Sequence, residues 1–300
     1  MNDYVSQLEL LPNEILIELF RYFNGQDLFQ AFYNLNIRLN QLIQSFNNLK
    51  LVFYLKRSNK NLINDNHIFP LCVYTLIVDS NVDVNLNQFP NVHRLKFEWF
   101  SAKELVQLCT NVLPYLEELN LVYIETLSTN NASLSLPILR ILKVRFINLS
   151  MYQTILSGCP NLYYFKLCIF TSEECLLNIP KHNNLKRLII KVGDVIWPWN
   201  DHLFNCYLSC VPNLEHFNVH RLLYISRITD SFLNYDWLIS IISIHLLKLH
   251  RFYFYLRTSQ PKNINKLNTE KIINQLKETF LQVHNGQCQS QLIIECSFLW

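Results

Sequence analysis

Glycine is the first thing this 300-residue sequence lacks: it has four, Gly25, Gly158, Gly193 and Gly286, and no two are close. Phosphate-cradling loops need clustered glycines so that backbone N–H groups can approach the anion, so a P-loop or dinucleotide-binding fingerprint is excluded. Charge is also scarce. Asp, Glu, Lys and Arg make up 16% of the chain and the formal net charge is +3, so no global field points to nucleic acid or to a membrane surface. Nor is there an apolar run of the ~20 residues that a helix needs to cross a bilayer. The most apolar stretch, Trp237 to Leu247, is bounded by Asp236 and Lys248 and interrupted by His245. Nine cysteines are scattered without paired spacings, and the first twenty residues carry Asp3, Glu9, Glu14 and Glu18 where a signal peptide would be apolar. Reduced thiols in the cytoplasm and/or nucleus are the simplest account.

What is present is apolar mass: half of the residues are hydrophobic, enough to bury a large core. The first section, residues 1–48, is acidic, with Arg21 and Arg38 against Asp3, Glu9, Glu14, Glu18 and Asp27. From Leu11 it reads LPNEILIELFRYFNGQDLFQAFYNLNIRLNQLIQSF. Leu11, Ile15, Leu16, Leu19, Phe20 and Phe23 trace one helical stripe. Pro12 suits a first turn, and Asn24-Gly25 supplies a left-handed stop. Asp27 then caps a second helix, Leu28 to Asn34, and Asn36 a third, Ile37 to Phe46. Three helices this short cannot enclose a sufficient core, so they lean on a partner or on the domain that follows.

Leu11-Pro12-x-Glu14-Ile15-Leu16, then Phe20, Asp27-Leu28-x-x-Ala31 and Asn36-x-Arg38-x-Asn40-x-Leu42-Ile43 resemble the F-box, a helical module that docks onto the Skp adaptor of cullin-RING ubiquitin ligases. The resemblance covers roughly residues 8–48 and implies that Leu11, Pro12, Ile15, Leu16 and Leu28 face the adaptor. Leu39 stands where that family commonly has a bulky aromatic. The other way to read the stripe is as ordinary core of a capping helical subdomain.

After Leu49 one phrase keeps returning: PNVHRLKFEW from Pro90, PYLEELNLVY from Pro114, PILRILKVRF from Pro137, PNLYYFKLCI from Pro160, NNLKRLIIKV from Asn183 and PNLEHFNVHR from Pro212. Outlying copies begin at Leu71 and Leu246. The markers Leu95, Leu119, Leu142, Phe165 and Leu188 are spaced by 24, 23, 23 and 23 positions, and Phe217 and Phe252 follow after 29 and 35. A period in the low twenties with L-x-x-L-x-L is the signature of leucine-rich repeats. Each copy supplies one strand, and helix-like runs at 101–112, 150–159, 172–179 and 200–211 lie between strands; neither can bury its apolar face alone, so the copies must stack. Thr269 to His284 reads as a final helix and Gln291 to Phe298 as a last strand. The fold class is therefore α/β, with a three-helix F-box-like module at 1–50 followed by a leucine-rich-repeat solenoid at 51–300, a curved parallel sheet with outer helices.

Side chains between the core leucines project from the inner sheet. Candidate target-binding residues on that concave face are Arg94, Lys96, Lys143, Arg145, Tyr164, Lys166, Arg187, Lys191, Arg251, Tyr253 and Tyr255. Arg clusters recognise acidic or phosphorylated segments through charge-assisted hydrogen bonds; the plainer role for these cations is to keep an exposed sheet soluble.

Little resembles catalysis. There is no G-x-S-x-G elbow, and Ser157-Gly158-Cys159 runs into Pro160 with no adjacent base. Cys206-x3-Cys210 and His216-x3-His220 offer zinc-type ligands, but the gap between them is much shorter than the usual finger loop of ~12 residues, so no metal is expected. Trp197-Pro198-Trp199 reads as a binding loop or as packing against the solenoid edge. No cofactor and no catalytic residue is expected, and nucleic acid and membrane are not expected partners. The resemblance implies a non-catalytic substrate receptor that holds the Skp adaptor, and through it a cullin-RING ligase, and presents an unknown protein substrate. The alternatives are a leucine-rich-repeat scaffold without ligase assembly, and a cryptic hydrolase.

Overall fold

The computed structural model describes residues 7–23, 25–33, 35–45, 51–57, 69–80, 82–99, 108, 113–122, 135–145, 147–169, 180–192, 201–224, 236–260, 266–283 and 289–298. They belong to two compact units, Met1–Glu125 and Thr126–Trp300. The expected helices at 101–112 (Leu108 apart) and 172–179, and the Trp197-Pro198-Trp199 segment, lie outside the described residues.

The first unit opens with a 3-10 turn and three helices, α1 (Asn13–Phe20), α2 (Gly25–Phe32) and α3 (Ile37–Ser45). Pro12 occupies the N-cap of α1 with ψ of 152°, one place ahead of the first helical residue. Asn36 caps α3 as its sequence suggests, accepting from the Leu39 N–H at 2.8 Å. The start of α2 departs from expectation: Gly25 opens the helix instead of stopping its predecessor, and Asp27 lies in the first turn. Both residues are compatible with that placement. A helix start leaves its first N–H groups unpartnered, so glycine costs little there, and a carboxylate favours the positive end of the dipole.

Leu16, Phe20, Leu28, Phe29, Phe32, Leu39, Leu42 and Ile43 are buried between these helices and the element they cover. The Phe32 ring meets Phe20 at 5.0 Å and Phe23 edge-on at 5.3 Å. α2 packs on β1 (Leu51–Leu55), which is followed by β2 (Val73–Val78), β3 (Arg94–Phe97) and β4 (Glu118–Leu121). These four strands are parallel and neighbour one another in chain order.

The second unit contains β5 (Ile141–Val144), α4 (Leu149–Gly158), β6 (Tyr164–Ile169), β7 (Arg187–Val192), α5 (Asp201–Ser209), β8 (His216–Tyr224), α6 (Asp236–His245), β9 (Arg251–Gln260), α7 (Lys266–Val283) and β10 (Gln289–Phe298). Its six strands are again parallel and sequential. The apolar stretch at Trp237 is thus mostly α6. The cap of α4 is Asn148, which accepts from the Met151 N–H at 2.9 Å, where Ser150 was the sequence candidate. α7 begins at Lys266 and β10 at Gln289, a few residues before their expected starts.

The repeat markers stand in register. Leu76, Leu95 and Leu119 are cross-strand neighbours in the first unit, and Leu142, Phe165, Leu188, Phe217 and Phe252 form one row in the second. All of them are buried; each contributes roughly 1.5–3 kcal/mol by leaving water. The 29- and 35-residue intervals preserve the row because their extra residues fall between strands.

One repeating contact is invisible in the apolar pattern. In the four repeat phrases that have asparagine at the second place, it donates its side-chain N–H to a backbone carbonyl one repeat earlier: Asn91 to Leu71 at 2.8 Å, Asn161 to Pro137 at 2.8 Å, Asn184 to Pro160 at 2.9 Å and Asn213 to Asn183 at 3.1 Å. The chain is thereby latched at the entry to β3 and, in the second unit, β6, β7 and β8; the phrases ahead of β4 and β5 have Tyr115 and Ile138 in that place. His182, buried, adds a variant: its Nδ1 accepts from the Leu185 N–H at 3.1 Å, and its Nε2 lies 2.9 Å from the Cys159 carbonyl.

Candidate functional site

Two surfaces carry the sequence-predicted residues. On the helical segment, the five adaptor-facing candidates divide. Leu16 and Leu28 are fully buried within their own chain, Leu11 is half-buried, and Pro12 and Ile15 are exposed, Ile15 at 49%. Further apolar side chains that the resemblance did not single out are open to water: Leu10 at 74%, Tyr22 at 88% and Ile37 at 77%, with Leu35 and Phe23 also exposed. The stripe thus separates into an inner set that holds the helices together and an outer set that they leave uncovered.

Arg38 arranges part of the outer set. Its guanidinium donates to the Asn13 side-chain oxygen at 2.9 Å and to the Leu11 carbonyl at 2.6 Å. The start of α3 is thereby tied to the start of α1, and the exposed Leu10, Ile15, Leu35 and Ile37 all lie within three residues in sequence of the tied Leu11, Asn13 and Arg38. The fork geometry of arginine makes the double bond possible.

The second surface is the outward side of the strands. Strand alternation buries one set of side chains and turns the other out, and all eleven target-binding candidates are in the outward set, exposed or half-buried. Arg94 and Lys96 lie in the first unit. There, cations meet carboxylates: Arg94 stands directly across from Glu118, Nε to Oε2 at 3.6 Å, and Lys96 Nζ is 3.8 Å from Glu98 Oε1. The Tyr54 hydroxyl donates to the same Glu98 oxygen at 2.8 Å, and that bond, with burial, pushes the phenol up to about 12.

Lys143, Arg145, Tyr164, Lys166, Arg187, Lys191, Arg251, Tyr253 and Tyr255 lie in the second unit. Their neighbours in the corresponding outward positions of β5 to β8 are Ile141, Cys168, Ile189, His216, Asn218 and His220, so among the described residues of these four strands no Asp or Glu takes an outward position. Burial, reinforced by Lys191 and Lys143, holds the Lys166 ammonium below its ordinary value. Burial, then Lys191 and Lys166, brings His220 down to about 4, and burial with Arg187 and Arg251 lowers His216. Rings bracket the cations: Arg187 lies over the Tyr164 ring at 5.8 Å, and His220 stacks on Tyr255 at 4.2 Å.

The zinc-type residues are placed on different layers. Cys206 and Cys210 are buried at α5, whereas His216 and His220 belong to the outward side of β8. Burial pushes the Cys210 thiol up to about 11. Cys206 is disulfide-bonded, a departure from wholly reduced thiols, while Cys72, Cys159, Cys168 and Cys210 keep their thiols. Among the described residues no group of three or more His, Cys, Asp or Glu side chains could hold a metal ion, and no helix is long and apolar enough to cross a membrane. Compared with known proteins, the chain matches no protein-family model and no curated protein.

Proposed function

We propose that this chain is a substrate-recognition subunit of a Skp–cullin–F-box ubiquitin ligase, acting inside the cell, with an F-box at its N-terminal helices and leucine-rich repeats after them. The observation that carries the proposal is the uncovered apolar set on the helical segment: Leu10, Ile15, Tyr22, Phe23, Leu35 and Ile37 are exposed on three short helices. Six large apolar side chains left open within residues 10–37 offer apolar surface that a second polypeptide could cover. Together with the residue pattern from Leu11 to Ile43, it favours the Skp adaptor as that polypeptide. The outward side chains of the strands then hold the protein to be modified, and the ligase's other subunits supply the chemistry by proximity.

A specific observation favours a second reading, a repeat scaffold without ligase assembly: Leu16 and Leu28, two of the adaptor-facing residues, are buried in the chain itself. Coexpression with a Skp adaptor followed by size exclusion separates the two. Co-elution supports the ligase subunit, and separate elution of two folded proteins supports the scaffold.

A further inference from the structure

The outward side of the second unit carries three lysines on three adjacent strands. Lys143 on β5 stands directly across from Lys166 on β6. The partner of Lys166 on β7 is Ile189, and Lys191 lies two residues farther along that strand. Lys191 in turn faces His220 on β8, whose ring lies against Tyr255 of β9. Neighbouring strands are ~4.8 Å apart and diagonal neighbours ~7–8 Å, so the line takes one direct step, Lys143 to Lys166, and one diagonal step, Lys166 to Lys191.

Like charges placed across a sheet cost stability. The first unit avoids that cost at its corresponding positions by opposing Arg94 with Glu118 and setting Lys96 beside Glu98. In the second unit the lysines are kept together, and Lys166 feels both of the others. A surface selected only for solubility gains nothing from this arrangement; a surface that meets anions does.

We propose that the line Lys143–Lys166–Lys191 is a docking track for an extended acidic segment of the target protein, one whose carboxylate or phosphoryl side chains occur at every second residue. The inference deepens the target-binding half of the proposed function and rests on it. In an extended chain the side chains at i and i+2 point the same way and are ~6.6 Å apart, a spacing between the line's direct step and its diagonal one, which flexible lysine stems can span. Lysine presents a compact charge on a flexible stem and adapts to either anion. A single-stranded nucleic acid fits less well. It binds by stacking bases on free aromatic faces, and the two rings beside the track, Tyr164 and Tyr255, each already give a face to Arg187 and His220.

The test is fluorescence anisotropy on the whole 300-residue chain with labelled peptides. One alternates Asp with Ser, a second has the same composition with all Asp residues in one block, and a third replaces Asp by Asn; a labelled oligothymidylate is the fourth probe. The alternating peptide should bind best, at least about tenfold tighter than the Asn peptide, and weaken as salt rises from about 50 to about 300 mM. The triple variant Lys143→Gln, Lys166→Gln, Lys191→Gln should lose about tenfold or more, whereas the charge-matched control Lys248→Gln, Lys271→Gln, Lys277→Gln should lose nothing. Circular dichroism checks that both variants remain folded. Equal binding of the Asn peptide, no preference for alternation, an unaffected triple variant, or tighter binding of the oligonucleotide would each overturn the track. Adaptor binding is measured in parallel on the same preparations. If the adaptor binds and the acidic peptide does not, only the track falls; if the reverse holds, the ligase reading falls and the track stands.

Discussion

Asn161 donates from its side-chain nitrogen to the carbonyl oxygen of Pro137, 2.8 Å away and one repeat earlier in the chain. The next repeat does the same with Asn184 and Pro160, and the one after with Asn213 and Asn183. The phrase P-N-L therefore contains both halves of a latch: its leucine fills the core, and its asparagine fastens the repeat to its predecessor. Asn161→Ala should lower stability by about 0.5–1.5 kcal/mol. Asn161→Asp should cost more, because an ionised carboxylate would face the carbonyl with no proton to offer. Urea denaturation monitored by circular dichroism checks both, and midpoints equal to wild type would show the latch to be incidental.

Arg38 fastens the helical segment in a comparable way, through Leu11 and Asn13. Arg38→Ala should cost about 1 kcal/mol, and Arg38→Lys should recover only part of it, since an ammonium cannot span both acceptors as a guanidinium does. Hydrogen exchange in the first turns of α1 and α3 is the measurement; protection unchanged in both variants would mean that apolar packing alone sets the junction.

Ile15 and Leu16 are adjacent in sequence and opposite in role. Leu16→Ala should destabilise the helical segment by about 2–5 kcal/mol, the usual cost of emptying a buried leucine site. Ile15→Ala should stay within about 0.5 kcal/mol, as surface substitutions do. Comparing the two in thermal unfolding tests the division between inner and outer sets; comparable losses would erase it.

Acid should weaken the second unit through His220. Its folded value is about 4 against an ordinary 6.5, so between those two pH values the unfolded chain binds a proton that the folded chain refuses. Stability therefore falls as pH is lowered through that window and is fully present above it. His220→Gln should flatten the dependence between about pH 4 and about pH 6.5. Some slope should remain, because His216 and His245 are lowered in the same direction. A variant with the wild-type pH profile would show that His220 titrates normally.

Much of this architecture was legible in the sequence because its signal was periodic. The spacing of Leu95, Leu119, Leu142, Phe165 and Leu188 was enough to place the strands side by side, and alternation then named which side chains turn outward. Helix starts were less legible. Gly25 was a plausible stop, yet glycine is also tolerated where a helix begins, and a local pattern does not choose between those uses. Asn148 and Ser150 both cap well, and the choice between them depends on where the preceding strand releases the chain. Burial was the least legible property: Leu16 and Ile15 carry the same hydrophobic signal, yet Leu16 is buried and Ile15 is 49% exposed, a difference that only tertiary packing sets. The asparagine latch escaped because its partner is a backbone carbonyl, which no side-chain pattern reports.

Adaptor binding is the most direct test. The purified 300-residue chain is titrated with a purified Skp adaptor in a calorimeter, with light scattering to give stoichiometry. A 1:1 complex with a Kd of about 1 μM or tighter is expected, and Ile15→Asp, with an unchanged circular dichroism spectrum, should abolish it. A folded wild-type chain that shows no heat and no complex at about 100 μM adaptor, or an Ile15→Asp variant that binds as wild type does, would contradict the proposed docking surface.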